Sequence, residues 1–246
     1  MTITPILLAA LCTSALTGLG QEANNQRLPK EAIPKVSVPS LDYSALFDAD
    51  RSREIAGQAP QFAVPNSKSI TPATDGIWER VDMDTQRWTL RVSCDNALSM
   101  NLGFGRYNMP SSGSMTITDE SGEYRIRPFT ADDNKSHGQL WTPVVPGGEA
   151  TIEIVVDSDQ KAYVVKGIEL TSINSGYRWV HDAAERGSSE SCNIDVVCPE
   201  GNAWWDEIPS VGVYTLNGYL TCTGVMMNNT AQNQTPLFLT ANHCGV

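Results

Sequence analysis

The chain has 246 residues, 41% hydrophobic and 18% charged, with a formal net charge of −11 and a sequence pI near 4.6. That is enough apolar side chain to bury one large core or two small ones. The negative charge argues against nucleic acid or an anionic membrane surface as a partner. Nineteen glycines and fourteen prolines beside six tryptophans and seven tyrosines fit an all-β chain with many turns.

Residues 1–20 are an apolar stretch broken by Thr and Ser, with Gly18 and Gly20 standing three and one residues before Gln21. This reads as a signal peptide and predicts a secreted, extracellular protein. The run is too short to span a membrane, so no membrane contact is expected beyond export. Residues 21–75 read as an extended linker carrying Pro29, Pro34 and Pro39. Within it Tyr43, Leu46 and Phe47 have helical spacing, Ser40 or Asp42 is the candidate N-cap, and Gly57 is the stop. The short amphipathic helix is expected to pack on the following domain, with a mature N-terminal lid as the other reading.

From 76 to 171 the pattern changes to period two. Trp88, Leu90, Val92 and Cys94 alternate with polar residues, as do Met115 and Ile117, Tyr124 and Ile126, and Ile152, Ile154 and Val156. Val164, Ile168 and Leu170 follow less regularly. Pro110-Ser111-Ser112-Gly113, Glu120-Ser121-Gly122 and Pro146-Gly147-Gly148 separate the runs as turns. Short alternating strands at this spacing predict a β-sandwich. Trp141 and Tyr107 are read as core or rim positions in preference to carbohydrate-stacking platforms. His137 is expected in solvent, and Cys94 as a buried free thiol.

Residues 172–186 are polar and read as a linker. Arg186-Gly187, a basic residue before a small one, is a candidate processing site. Beyond it the cysteines become dense: Cys192, Cys198, Cys222 and Cys244. In an exported chain this density points to disulfides. Two strands, 211–216 and 219–226, flank Asn217-Gly218, a strong short hairpin signal. Pro236-Leu237-Phe238-Leu239 reads as a buried strand that delivers the Thr240-Ala241-Asn242 turn, then His243 and Cys244. An imidazole fixed at the end of a strand suits acid–base work. Cys192, Cys198, His243 and Cys244 could also be read as metal ligands. Their spacing lacks the short cysteine pairs of most structural zinc sites, so no metal and no cofactor is expected.

Ser191-Cys192-Asn193-Ile194-Asp195-Val196-Val197-Cys198-Pro199-Glu200-Gly201 resembles the start of the mature lysyl endopeptidases, secreted bacterial relatives of trypsin. The likeness continues through Cys222-Thr223-Gly224 and Phe238-Leu239-Thr240-Ala241-Asn242-His243-Cys244-Gly245. The region with Gly76-Ile77-Trp78 and Gly138-Gln139-Leu140-Trp141-Thr142-Pro143 is similar to the propeptide of the same proteases. The resemblance implies a sandwich propeptide at 76–171, a cut between Arg186 and Gly187, and the opening strands of a trypsin-like double β-barrel at 187–246. It implies that His243 is the general base of a serine protease triad and that Cys222 and Cys244 form the disulfide bracing its loop. Cys192 and Cys198 would pair with cysteines further along. The triad aspartate and serine and the specificity pocket would lie there too, in a part this chain lacks. The activity implied is hydrolysis of peptide bonds after Lys, and Arg186 at the cut points to Arg as well. The implied partners are protein or peptide substrates, and the propeptide with its own protease domain. Three departures stand out: no Ile-Val-Gly-Gly follows the proposed cut, Asn242 replaces the small residue common before the histidine in trypsin relatives, and Trp204-Trp205 has no counterpart, with the surface or barrel packing as its default place. The competing expectation is a secreted β-sandwich binding or protease-inhibitory pro-module without catalysis.

Overall fold

The computed structural model describes residues 27–178, 196 and 198–244. The proposed signal peptide, Arg186, Gly187 and Cys192 lie outside them. In chain order the main elements of the first part are β1 (Lys35–Ser37), α1 (Tyr43–Ile55), β2 (Ala63–Ile70), β3 (Ile77–Arg80), β4 (Thr85–Ser93) and β5 (Ser99–Tyr107). They continue with β6 (Ser114–Asp119), β7 (Leu140–Trp141), β8 (Val145–Pro146), β9 (Glu149–Asp157), α2 (Lys161–Gly167) and β10 (Ile168–Gly176). The second part holds β11 (Val211–Leu216), β12 (Leu220–Met227) and β13 (Leu237–Thr240). The protein is all-β, with few and short helices.

The first part is a two-sheet sandwich. One sheet runs β1-β4-β9-β6, with β3 also on β4; the other runs β2-β10-β5, with β7 and β8 along β5. Every pairing is antiparallel except β1 with β4. Alternation sends one side chain in two to the space between the sheets. Trp88, Leu90 and Val92 of β4, Ile152, Ile154 and Val156 of β9, and Met115 and Ile117 of β6 share one core with Met100, Leu102 and Phe104 of β5 and Leu170 of β10. Trp88 is anchored at its polar end, where Nε1 donates to the Asp75 carbonyl at 2.8 Å. Gly76 makes room for the ring: it has φ +74°, and a Cβ there would lie 2.6 Å from Trp88 Cε2. Cys94 is a buried free thiol, its Sγ 3.3 Å from the Pro39 carbonyl. His137 is exposed.

The sandwich also draws strands from stretches that read as linker. β1 and β2 come from 21–75. Pro65, which lacks an N–H, is tolerated because β2 is an edge strand. β10 carries the polar run of 172–176, in which Asn174 and Ser175 are buried and bonded to Asn101 and Asn66 of the neighbouring strands rather than solvated. Val164 sits on α2, not on a strand, and is buried there. Tyr107 is buried, donates to the Thr130 carbonyl at 3.1 Å and offers no stacking surface. Trp141 stays partly exposed on the rim.

The second part is a three-stranded antiparallel sheet, β11-β12-β13, and no closed barrel occurs among the described residues. β13 forms where expected but is not buried: Leu237, Phe238 and Leu239 are 44–57% exposed. No second layer among the described residues covers that face. Trp204 and Trp205 are also on the surface. Among the described residues no helix is long and apolar enough to cross a membrane.

Candidate active site

The site begins at the β11–β12 hairpin. Asn217 and Gly218 take φ values of 52° and 73°, the sign a tight primed turn requires at both central positions and the reason for that residue pair. The turn sets the register, with Leu216 opposite Leu220 and Tyr214 opposite Cys222. Cys222 is thereby placed on the inner face, where it clusters with Ala59, Cys244, Tyr214, Leu216 and Leu220. β13 adds to the other edge of β12, with Gly224 opposite Thr240. Thr240 Oγ1 donates to the Thr223 carbonyl at 2.8 Å, and the Tyr214 hydroxyl lies 2.8 Å from Thr240 Oγ1. The Phe238 ring packs edge-on to Tyr214, with centroids 5.3 Å apart.

After β13 the chain closes a single 3-10 turn, Asn242–Cys244, with the Cys244 N–H donating to the Ala241 carbonyl at 3.0 Å. A Cys222–Cys244 disulfide, Cα atoms 6.1 Å apart, ties that turn back to β12. His243 stands between the two anchors, exposed while Cys244 is buried. One imidazole nitrogen lies with the two sulfurs in a group no wider than 4.8 Å. Sulfurs joined to each other present no thiolate, so the group does not offer a metal the ligands it would need.

His243 opens onto a cleft of about 670 Å³. Cys222, Thr223 and Ala241 line one wall, and Asp50, Arg53 and Glu54 of α1 line another. α1 is capped as its sequence predicts, Asp42 accepting from the Ala45 N–H at 3.1 Å. Asp50 is held by Tyr177 and Arg178. One of its oxygens accepts from the Tyr177 hydroxyl at 2.7 Å, and the other from Arg178 Nε at 3.0 Å and pairs with Nη2 at 2.8 Å. Burial, then the Asp50 carboxylate, push the Tyr177 phenol well above its ordinary range. His243 receives no hydrogen bond from a described residue. The arrangement offers an accessible imidazole, fixed by a covalent brace, with room in front of it.

Of the residues singled out by sequence, Cys222, His243 and Cys244 come together. Cys198 is a free, half-buried thiol at the start of the 3-10 segment Pro199–Trp204, and Cys192, Arg186 and Gly187 fall outside the described residues. For α1 the helical spacing is visible, but the sequence offers packing on the following domain or a mature N-terminal lid, and does not mark which residues the helix faces.

The architecture defines an all-β protein with one disulfide-braced histidine at a cleft. The family model for the lysyl endopeptidase C-terminal domain matches residues 186–246, the stretch that builds this site. A lysyl endopeptidase of Pseudomonas aeruginosa is 24% identical over 230 residues, covering 80% of this chain and 48% of that protein. The chain is related to the lysyl endopeptidases, a peptidase family, and spans about half the length of the curated relative it matches.

Proposed function

We propose that the chain is the precursor portion of a secreted serine endopeptidase that cleaves after Lys, with Arg also accepted. Residues 1–20 serve as signal peptide, the sandwich as pro-domain, and the part beyond Arg186 as the first strands of the protease domain. One observation carries the reading: His243 leaves β13 on a Cys222–Cys244 brace, inside the stretch matched to the lysyl endopeptidase domain. In this role the imidazole takes the proton of a serine hydroxyl and returns it to the leaving amine. The serine and the orienting aspartate come from sequence beyond these 246 residues, and Cys192 and Cys198 find partners there. The 246-residue chain alone is inactive, because a general base without a nucleophile has nothing to activate. The test is to express the gene together with whatever coding sequence follows Val246 and to measure turnover of a lysyl amide. Activity abolished by His243→Ala is expected; activity that survives the substitution sinks the reading.

A second reading, that the pro-domain inhibits, is favoured by the α1 wall of the cleft. Asp50, Arg53 and Glu54 stand where a peptide substrate would approach His243. A sandwich released from the precursor should then slow the mature enzyme, and Arg53→Ala should weaken that inhibition.

A further inference from the structure

The hairpin turn sets its second central residue, Gly218, buried against the sandwich, while Asn217 stays exposed. Asn101 of β5 and Asn174 of β10 are cross-strand partners, only 2% and 0% exposed. Met100, Leu102 and Ile173 beside them belong to the core, so alternation puts the two amides on the outer face of their sheet. The turn covers this polar pair on that face.

The amides form a directional chain. The Ser172 hydroxyl donates to Asn174 Oδ1 at 2.8 Å, Asn174 Nδ2 donates to Asn101 Oδ1 at 2.8 Å, and Asn101 Nδ2 donates to the Gly218 carbonyl at 2.7 Å. Each link fixes the orientation of the next, so Asn101 presents an N–H to the turn. There is no space for a side chain on the incoming residue: a Cβ on Gly218 would lie 2.3 Å from Asn101 Oδ1 and from Asn174 Nδ2. Next to the turn the backbones pair. The Phe62 N–H donates to the Tyr219 carbonyl at 2.9 Å, the Thr221 N–H donates to the Pro60 carbonyl at 2.9 Å, and Gln61 stands opposite Leu220. The strand end that β13 leaves unpaired is thus covered by the chain just before β2.

We propose that Asn101 and Asn174 form a turn-recognition site. Through it residues 27–178 hold the β11–β12 hairpin as a separate polypeptide once the connection between them is cut, and refuse a hairpin bearing a side chain at the second turn position. The proposal deepens the precursor reading above by naming the contact between pro-domain and protease part. Its test measures association and needs no catalysis, so it stands or falls separately from that reading.

The experiment inserts a site for a sequence-specific protease after Arg186 in the full chain, cuts to completion, and measures whether the pieces stay together by size exclusion and titration. The wild-type pieces co-elute. Asn101→Asp keeps the shape and the acceptor for Asn174 but loses the N–H to Gly218, and weakens association about tenfold or more, as expected when a buried partner is left unmet. Gly218→Asn leaves the sandwich untouched and tolerates a positive φ while adding a side chain, and causes a loss at least as large. This second variant decides the matter if Asn101→Asp fails to fold. Lys68→Ala, on the exposed part of β2, changes nothing. Wild-type pieces that separate on cutting, or a Gly218→Asn form that stays as tightly bound as wild type, overturn the proposal.

Discussion

The sandwich and the three-stranded sheet are built from similar alternating strands and end in opposite conditions. In the sandwich, Leu90, Leu102 and Ile152 meet a facing sheet and are 0% exposed. In the second sheet, Val211, Met226 and Leu239 remain 48–59% exposed. Among the described residues its buried apolar cluster is Cys222, Cys244 and Ala59, and Ala59 belongs to the sandwich side of the chain. Alternation specifies a strand; burial requires a second layer to face it. The sandwich carries its own core, whereas the sheet holding His243 rests on a crosslink and on its dock against the sandwich.

The largest effect that would test this contrast is in the sandwich core. Trp88→Ala removes a ring 2% exposed and leaves its space empty, and should cost about 3–5 kcal/mol. Urea unfolding followed by circular dichroism reads it. A cost below about 1 kcal/mol would mean that this core is not what holds the two sheets. Next comes the brace. The bond joins residues 22 apart, and replacing both Cys222 and Cys244 by Ser should cost about 3 kcal/mol on loop entropy. Hydrogen exchange should show the loss in β12 and β13 while β4 and β9 keep their protection. An equal loss in all four would show that the two regions unfold as one unit.

The same contrast explains what the sequence made legible. Period-two runs at Trp88–Cys94 and Ile152–Val156 gave strands with the correct faces, because both face the one core between the two sheets. Asn217-Gly218 gave the turn, because two positive φ values are a local demand. The polar run 172–176 did not read as a strand, since the partners of Asn174, Asn101 and through it the turn at Gly218, lie far along the chain. Leu237 to Leu239 read as buried because composition records a preference for burial, not the presence of a cover. The place of His243 was legible through family likeness; the α1 wall of its cleft arises from tertiary packing alone.

A smaller effect separates the regions by pH. Glu149 is 6% exposed and accepts from Arg91 Nε at 2.9 Å and Nη2 at 2.8 Å, with Lys30 Nζ at 3.1 Å. Burial pushes its carboxyl up, but the bonds from Arg91 and Lys30 outweigh that and hold it below its ordinary 4.5. A carboxyl depressed in the folded state stabilises above its unfolded pKa and loses that contribution as pH falls through the folded value. Sandwich stability should therefore fall as pH drops below about 4.5. Asp133, held down by Arg127, acts in the same direction, so the difference between wild type and Glu149→Gln isolates one group. The substitution should lower stability at neutral pH and flatten the slope in acid. An unchanged slope would remove the buried pair from the account.

The smallest effect is the sharpest test of the missing layer. Leu239→Ala makes the same chemical change as Leu90→Ala, each on a β-strand. Leu90 is 0% exposed and should cost about 2–5 kcal/mol; Leu239 is 57% exposed and should stay within about 0.5 kcal/mol. Denaturation at two protein concentrations checks both. If Leu239→Ala costs as much as Leu90→Ala at high concentration only, a second copy of the chain covers β13. If it does so at both, the cover comes from the chain itself, and the contrast between the two regions fails at the strand that carries His243.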